Sequence, residues 1–269
     1  TIRGHAGQIK RVIRAINGAE RPVVCAGGGI FAAHAQAELK RFIETVNIPV
    51  ISTMMGIGAV PTAHPLYMGM LGMHGKSVAN QALSDSDLLI IIGARVSDRA
   101  VLLPANVSAS TKIVHIDIDP AEMRRFTPDT AIIADAREGT RDLLIAVQKR
   151  GFTRQPGRRE AIRAASASTL QQIQAIQPQM SYLNILREVL PANAIVTDEL
   201  SQVGFASWYG FPVYEPRTFI TSGYQGTLGS GFPTALGAKV ANPDRPVVAI
   251  TGDGGFMFAV QELATAVQF

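Results

Sequence analysis

Pro22–Ala26, Leu88–Ile92 and Val247–Ile250 are apolar at every position rather than at alternate ones. Such runs are too short for a core helix, and a strand with no polar side must be buried on both faces. Segments of helical period lie between them: Ile9, Val12, Ile13 and Ile16 share one face of a helix that ends near Gly18. Strands covered on both sides and joined through helices make a parallel sheet with helical layers above and below it. The chain is therefore expected to be α/β.

The expected elements run in order. Strand Pro22–Ala26 enters Gly27-Gly-Gly29; a helix from about Ala35 to Val46 and a strand Ile48–Ser52 follow. Strands Leu88–Gly93, Lys112–Asp117 and Ala131–Ala134 come next, and a helix Glu138–Lys149 closes the unit. Gly151-Phe-Thr-Arg-Gln-Pro-Gly-Arg-Arg159 breaks the pattern with proline, glycine and charge, as a linker does. A polar helix from about Glu160 to Ile176 follows it. The second α/β pattern comprises helix Ser181–Leu190, strands Ala194–Thr197 and Thr218–Thr221, helix Gly231–Val240, strand Val247–Thr251 and helix Met257–Gln268. The expectation is two doubly wound parallel-sheet (Rossmann-like) domains, residues 1–150 and 179–269, joined by a linker and helix over 151–178. The second is expected to be truncated, because no strand follows its last helix.

Composition narrows the classes. With 47% apolar and 17% charged residues, the 269-residue chain reads as globular, and no apolar run is long enough to span a bilayer. No charged leader precedes an apolar segment, and the single Cys25 sits inside an apolar strand as a packed thiol. A reducing, cytoplasmic setting without a membrane partner is expected. Six basic residues gather between Lys149 and Arg163 in a chain of net charge +4, but only Phe152 interleaves with them. A solvated linker and helix face fits that run better than nucleic-acid contact. The five histidines and one cysteine have no zinc-ligand spacing.

Pro246-Val-Val-Ala-Ile-Thr-Gly-Asp-Gly-Gly255 leads a buried strand into a glycine turn that holds one carboxylate. Glycines admit a ligand close to the backbone, and Asp253 is a hard oxygen ligand of the kind Mg²⁺ takes. Gly226-Thr-Leu-Gly-Ser-Gly-Phe-Pro233 is a second glycine-dense turn before a helix, so the two could share one phosphorylated ligand. Taken alone, each is also an ordinary tight turn between strand and helix.

Taken in order with Asn242-Pro-Asp and Val260-Gln-Glu-Leu-Ala-Thr265, these turns resemble the diphosphate-binding domain of thiamine-diphosphate enzymes. Met70-Leu-Gly-Met-His-Gly75, Gly93-Ala-Arg-Val-Ser-Asp-Arg99 and His115-Ile-Asp-Ile-Asp-Pro-Ala-Glu122 resemble the central domain of acetolactate (acetohydroxyacid) synthase catalytic subunits. The resemblance covers that central domain and the first part of the third. It implies that Asp253 ligates Mg²⁺, that Gly254 and Gly255 approach the diphosphate, and that Gln202 contacts it. The Gly226 carbonyl would accept from the aminopyrimidine, Thr227 would also contact thiamine diphosphate, and Leu228 would wedge the cofactor into its bent form. Gly255 stands where relatives often carry serine, and the family's Gln-His pair reads Gln202-Val203 here.

The same resemblance implies FAD on the central domain, held by Gly28, Thr53, Met54, Leu71, Gly72, Met73, His74, Gly93, Ala94, Arg95, Asp117, Ile118, Asp135 and Ala136. Physical chemistry agrees for Asp117, since a carboxylate ending a strand can bind a ribose hydroxyl, and for Arg95, which can neutralise a phosphate. Gly27-Gly-Gly-Ile-Phe-Ala32 fits a loose nucleotide-loop pattern that any βα turn can give. Five of the eight methionines lie between Met54 and Met73, a density that packing alone explains. Ser97 replaces an aspartate of the family pattern.

By resemblance, the whole enzyme would decarboxylate pyruvate and transfer the hydroxyethyl unit to a second 2-oxo acid, as a homodimer or homotetramer with a possible regulatory subunit. The activating glutamate is expected on a separate N-terminal domain, so no catalytic residue is assigned here and the chain alone is expected to be inactive. Glu188 and Glu262 are not given that role, and Glu199 reads as a surface or helix-capping carboxylate. Another decarboxylase or carboligase of the superfamily, or a non-catalytic nucleotide-binding module, remains the alternative.

Overall fold

A computed structural model describes residues 2–95, 107–124, 127–151 and 158–269. Two compact units divide the chain: residues 1–60 with 64–169, and residues 61–63 with 170–269. Val96 to Arg99 of the arginine motif, Ser97 included, and residues 152–157 of the expected linker lie outside the described residues.

The first unit is built on six parallel strands: β1 (Pro22–Ala26), β2 (Val50–Ser52), β3 (Tyr67–Met70), β4 (Leu88–Ile92), β5 (Lys112–Asp117) and β6 (Thr130–Ile133). Their order is β3-β2-β1-β4-β5-β6, so the chain winds outward from β1 and then returns to lay β4 on β1's other side. That reversal sets the loops after β1 and β4 side by side at the carboxyl edge of the sheet, the edge where open α/β sheets bind ligands. Every residue of β1 to β4 is buried, as runs without a polar side require. Helix Ala6–Gly18 buries Ile9, Val12, Ile13 and Ile16, and helix Gln36–Val46 buries Leu39, Phe42, Ile43 and Val46. Each such side chain contributes about 1.5–3 kcal/mol on burial. Helix Gln36–Val46 stops at Asn47, whose left-handed backbone (φ 55°) ends the turn. Cys25 is buried, and burial pushes its thiol up to about 12, so it is a packing group and not a nucleophile.

Strand β3 and helix Ser77–Ser84 were not expected from the sequence. Tyr67-Met-Gly-Met70 has no β-branched residue, and its pairing with β2 is irregular between Val50 and Ile51. Met68 and Met70 of the methionine cluster are buried in packing, whereas Met55 and Met73 are exposed.

The second unit carries β7 (Ile195–Asp198), β8 (Phe219–Ile220) and β9 (Val247–Ile250), parallel in the order β8-β7-β9. β9 was expected to be buried throughout, but three of its four residues are only half-buried, because it forms one edge of this sheet. The last expected helix, Met257–Gln268, is instead two: Asp253–Met257 and Glu262–Gln268. Helix Gln202–Gly210 went unforeseen, since its glycine and aromatic residues give no single apolar stripe.

Candidate functional site

Three loops converge at the carboxyl ends of β7 and β9. Residues 199–201 follow β7, 226–231 precede helix Gly231–Ala241, and 251–255 follow β9. Gly226 is left-handed (φ 60°), and a Cβ there would stand 3.0 Å from Cδ1 of Leu200. A Cβ on Gly229 would stand 2.7 Å from Cβ of Phe258, which packs the second loop against the third. Asp253 opens helix Asp253–Met257 with its side chain exposed. Nothing lies within 4 Å of where a Cβ on Gly254 would stand, so internal packing does not require glycine there. Thr227 and Leu228 are exposed, Leu228 at 47%. Gln202 accepts through Oε1 from Gln179 Nε2 at 2.6 Å, which leaves its own amide nitrogen to donate elsewhere.

This donor set suits a metal-bound diphosphate: one exposed carboxylate, open room beside the backbone of Gly254, and an exposed apolar side chain in the adjoining loop. Among the described residues no three His, Cys, Asp or Glu side chains gather as a complete metal site, so Asp253 would be one ligand of several. The second turn offers one N–H fewer to an anion than its sequence suggests. The N–H of Gly231, at the start of helix Gly231–Ala241, is already taken by Glu199 Oε2 at 2.9 Å. Glu199 does cap a helix as expected, but it is fully buried and not a surface group.

Sequence reasoning passed over the adjacent Asp198. Trp208 Nε1 donates to Asp198 Oδ2 in the interior. Burial raises the Asp198 carboxyl to about 6 from the ordinary 3.8, against the opposing pull of Thr221, Trp208 and the Ser222 backbone. The folded state therefore binds this proton more tightly than the unfolded chain. Its contribution is complete below about pH 4 and is lost as pH rises towards 6, a change on the order of 3 kcal/mol. Trp208 is the chain's one tryptophan and reports the event directly. Its emission is expected to titrate with a midpoint near 6, and Asp198→Asn to abolish that step; a step that survives the substitution would assign it elsewhere. Two consecutive carboxylates closing the apolar run Ala194-Ile-Val196 were the available signal.

In the first unit, the residues expected to hold a flavin nucleotide lie at the carboxyl ends of β1 to β6. Gly28 follows β1, Thr53 and Met54 follow β2, and Leu71 to His74 follow β3. Gly93 to Arg95 follow β4, Asp117 and Ile118 close β5, and Asp135 and Ala136 follow β6. Asn80 clamps the Gly72 peptide, donating to its carbonyl at 3.0 Å and accepting from its N–H at 2.8 Å. Asp135 caps helix Ala136–Arg150 by accepting from the N–H groups of Arg137 and Glu138, a structural duty that accounts for it without a ligand. Asp117 Oδ1 accepts from Asp119 N–H at 3.0 Å. Met73 and Ile118 are more than half exposed on this edge. His115 donates through Nε2 to the Ala94 carbonyl at 3.0 Å, and burial lowers its pKa against the opposing pull of that hydrogen bond, Asp117 and Glu122.

The profile of the thiamine pyrophosphate enzyme central domain matches residues 9–143, just over half of the chain, and that of the C-terminal TPP-binding domain matches residues 200–269. The chain belongs to the thiamine pyrophosphate enzyme family. It is 41% identical over 277 residues to a protein of Methanocaldococcus jannaschii named probable acetolactate synthase large subunit, an alignment that takes in 99% of this chain and 47% of that one. It is 38% identical to a protein of the same name from Methanococcus aeolicus, over 99% of this chain and 47% of that one. It is 36% identical to the large subunit of acetolactate synthase isozyme 3 of Escherichia coli K12, over 100% of this chain and 48% of that one. The chain thus spans about half the length of the relatives it matches. No helix among the described residues is long and apolar enough to cross a membrane.

Proposed function

We propose that this chain is part of a thiamine-diphosphate- and Mg²⁺-dependent carboligase that decarboxylates pyruvate and transfers the two-carbon unit to a second 2-oxo acid, as the names of its relatives imply. The observation that carries the reading is the exposed carboxylate of Asp253 beside the open backbone of Gly254, at the carboxyl edge of a parallel sheet. When bound, thiamine diphosphate supplies the electron sink that makes decarboxylation of a 2-oxo acid accessible. Asp253 would ligate Mg²⁺, Gly254 and Gly255 would border the diphosphate, and the Gln202 amide would donate to a phosphate oxygen. Leu228, exposed on the adjoining loop with Gly226 and Thr227, would give the cofactor an apolar support. Proton removal is assigned to no residue of this chain: Glu199 is committed to Gly231, and Glu188 and Glu262 have no observation in their favour. The whole protein would be a cytoplasmic homodimer or homotetramer, and the large-subunit names of the relatives leave room for a regulatory subunit beside it.

We assign a flavin nucleotide to the carboxyl edge of the first unit on narrower grounds: the reversal of strand order at β1 and β4, Asp117 at the end of β5, and the exposed Met73 and Ile118. One experiment covers both cofactors. Calorimetric titration of the purified protein with thiamine diphosphate is expected to show binding that needs Mg²⁺, and its visible absorbance to show a released flavin on denaturation. Binding that is unchanged when a chelator replaces Mg²⁺ would sink the first assignment, and a colourless protein the second. Acetolactate formation from pyruvate by the whole protein then tests the reaction.

A further inference from the structure

Glu199 has two oxygens and one evident partner. Oε2 accepts from the Gly231 N–H, while Oε1 is buried and has no hydrogen-bond partner. The unpartnered oxygen points at Gly255: a Cβ on that residue would overlap Oε1 outright. Gly231 gives way in the same manner, for a Cβ there would stand 3.0 Å from Cβ of Glu199 and 3.1 Å from Oε2. Thr197 holds the other side of the same residue, donating to the Gly231 carbonyl at 3.0 Å. A buried carboxyl oxygen without a hydrogen bond costs free energy, so the contacts around it must hold it in place. Glu199 fills the space between the loop before helix Gly231–Ala241 and the turn that carries Asp253.

We propose that Glu199 is a positioning residue that sets the gap between these two glycine loops, and that its carboxylate is the reason residue 255 carries no side chain. The proposal rests on the reading that these loops receive thiamine diphosphate. A serine side chain at 255 would enter the volume of Glu199.

A double-substitution cycle tests it. Gly255→Ser alone is expected to lower the melting midpoint by roughly 10 °C, and in a Glu199→Ala background by no more than about 3 °C. A Gly255→Ser protein that fails to fold while the double variant folds is the same result. Should Glu199→Ala itself not fold, Glu199→Asp, which withdraws the carboxylate by one methylene, replaces it in the cycle. Equal losses in both backgrounds overturn the proposal. The positioning role has its own readout, the affinity of the folded protein for thiamine diphosphate with Mg²⁺, measured well below each midpoint. Glu199→Ala is expected to weaken it at least about tenfold, and Glu199→Gln, which keeps an acceptor for Gly231, by less than about threefold. Unchanged affinity in a folded Glu199→Ala protein overturns the positioning role. If the unsubstituted protein binds no thiamine diphosphate, the functional reading fails, and the serine cycle alone decides whether Glu199 sets the gap.

Discussion

Gly27→Ala is expected to unfold the first unit at temperatures where the unsubstituted protein is fully folded. A Cβ on Gly27 would overlap the Gly93 carbonyl oxygen and stand 2.5 Å from Cα of Ala94. Both neighbours are backbone, and both are fixed. Gly27 N–H donates to the Ile92 carbonyl at 3.0 Å, and Gly29 N–H donates to the Gly93 carbonyl at 2.8 Å. The loop after β1 and the loop after β4 are thus bonded back to back at the carboxyl edge, with Gly93 itself left-handed at φ 58°. A flexible side chain could swing aside, but here β1 and β4 must part, and five paired positions hold them in register. The cost falls in the exceptional class of single substitutions, about 4–5 kcal/mol, which for a unit of this size lowers the melting midpoint by roughly 10–20 °C. Gly18→Ala is the control: nothing lies within 4 Å of its Cβ position, and it ends a helix without positive φ. It is expected to be neutral or to stabilise by up to about 1 kcal/mol. Calorimetry of the two variants decides the matter, and matching midpoints would remove the role given to the Gly27–Gly93 contact.

The apolar runs carried the architecture because burial on both faces leaves few alternatives to a parallel sheet. Of the three all-apolar runs, β1 and β4 are buried throughout and β9 is half-buried at its sheet edge, and all three were found within one residue of their bounds. Elements were missed where stability comes from tertiary context. Tyr67–Met70 is a strand only because β2 offers it an edge, and Gln202–Gly210 is a helix because Ser201 caps it by accepting from the Gly204 N–H. In the site, the glycine turns were visible because glycine marks a constraint on the backbone. Glu199 was not visible, because its role depends on two glycines that lie 32 and 56 positions further along (231 − 199 and 255 − 199). No local pattern encodes that meeting; the fold does, by ending β7 and β9 side by side.

Asp253→Asn is expected to weaken Mg²⁺-supported binding of thiamine diphosphate by at least about 100-fold while leaving the fold intact. Mg²⁺ demands hard, anionic oxygen and dehydrates reluctantly, so an amide of the same shape is a poor replacement for a carboxylate. The protein has little other use for this charge. Asp253 is exposed, and the residue after it faces open space. Its one internal contribution is a negative charge in the first turn of a five-residue helix, worth about 0.3–1 kcal/mol. The melting midpoint without cofactor is therefore expected to move by no more than about 4 °C. The contrast between the two measurements carries the test. Glu199→Ala is expected to lower stability and affinity together, because that carboxylate lies inside the packing between two loops. Asp253→Asn is expected to lower affinity alone, because that carboxylate lies outside it. The affinity of Asp253→Asn should also lose its dependence on Mg²⁺, since what remains is held by backbone and apolar contact. A variant that binds as tightly as the unsubstituted protein and still requires Mg²⁺ would move the metal to another carboxylate and withdraw the Gly-Asp-Gly turn from the site.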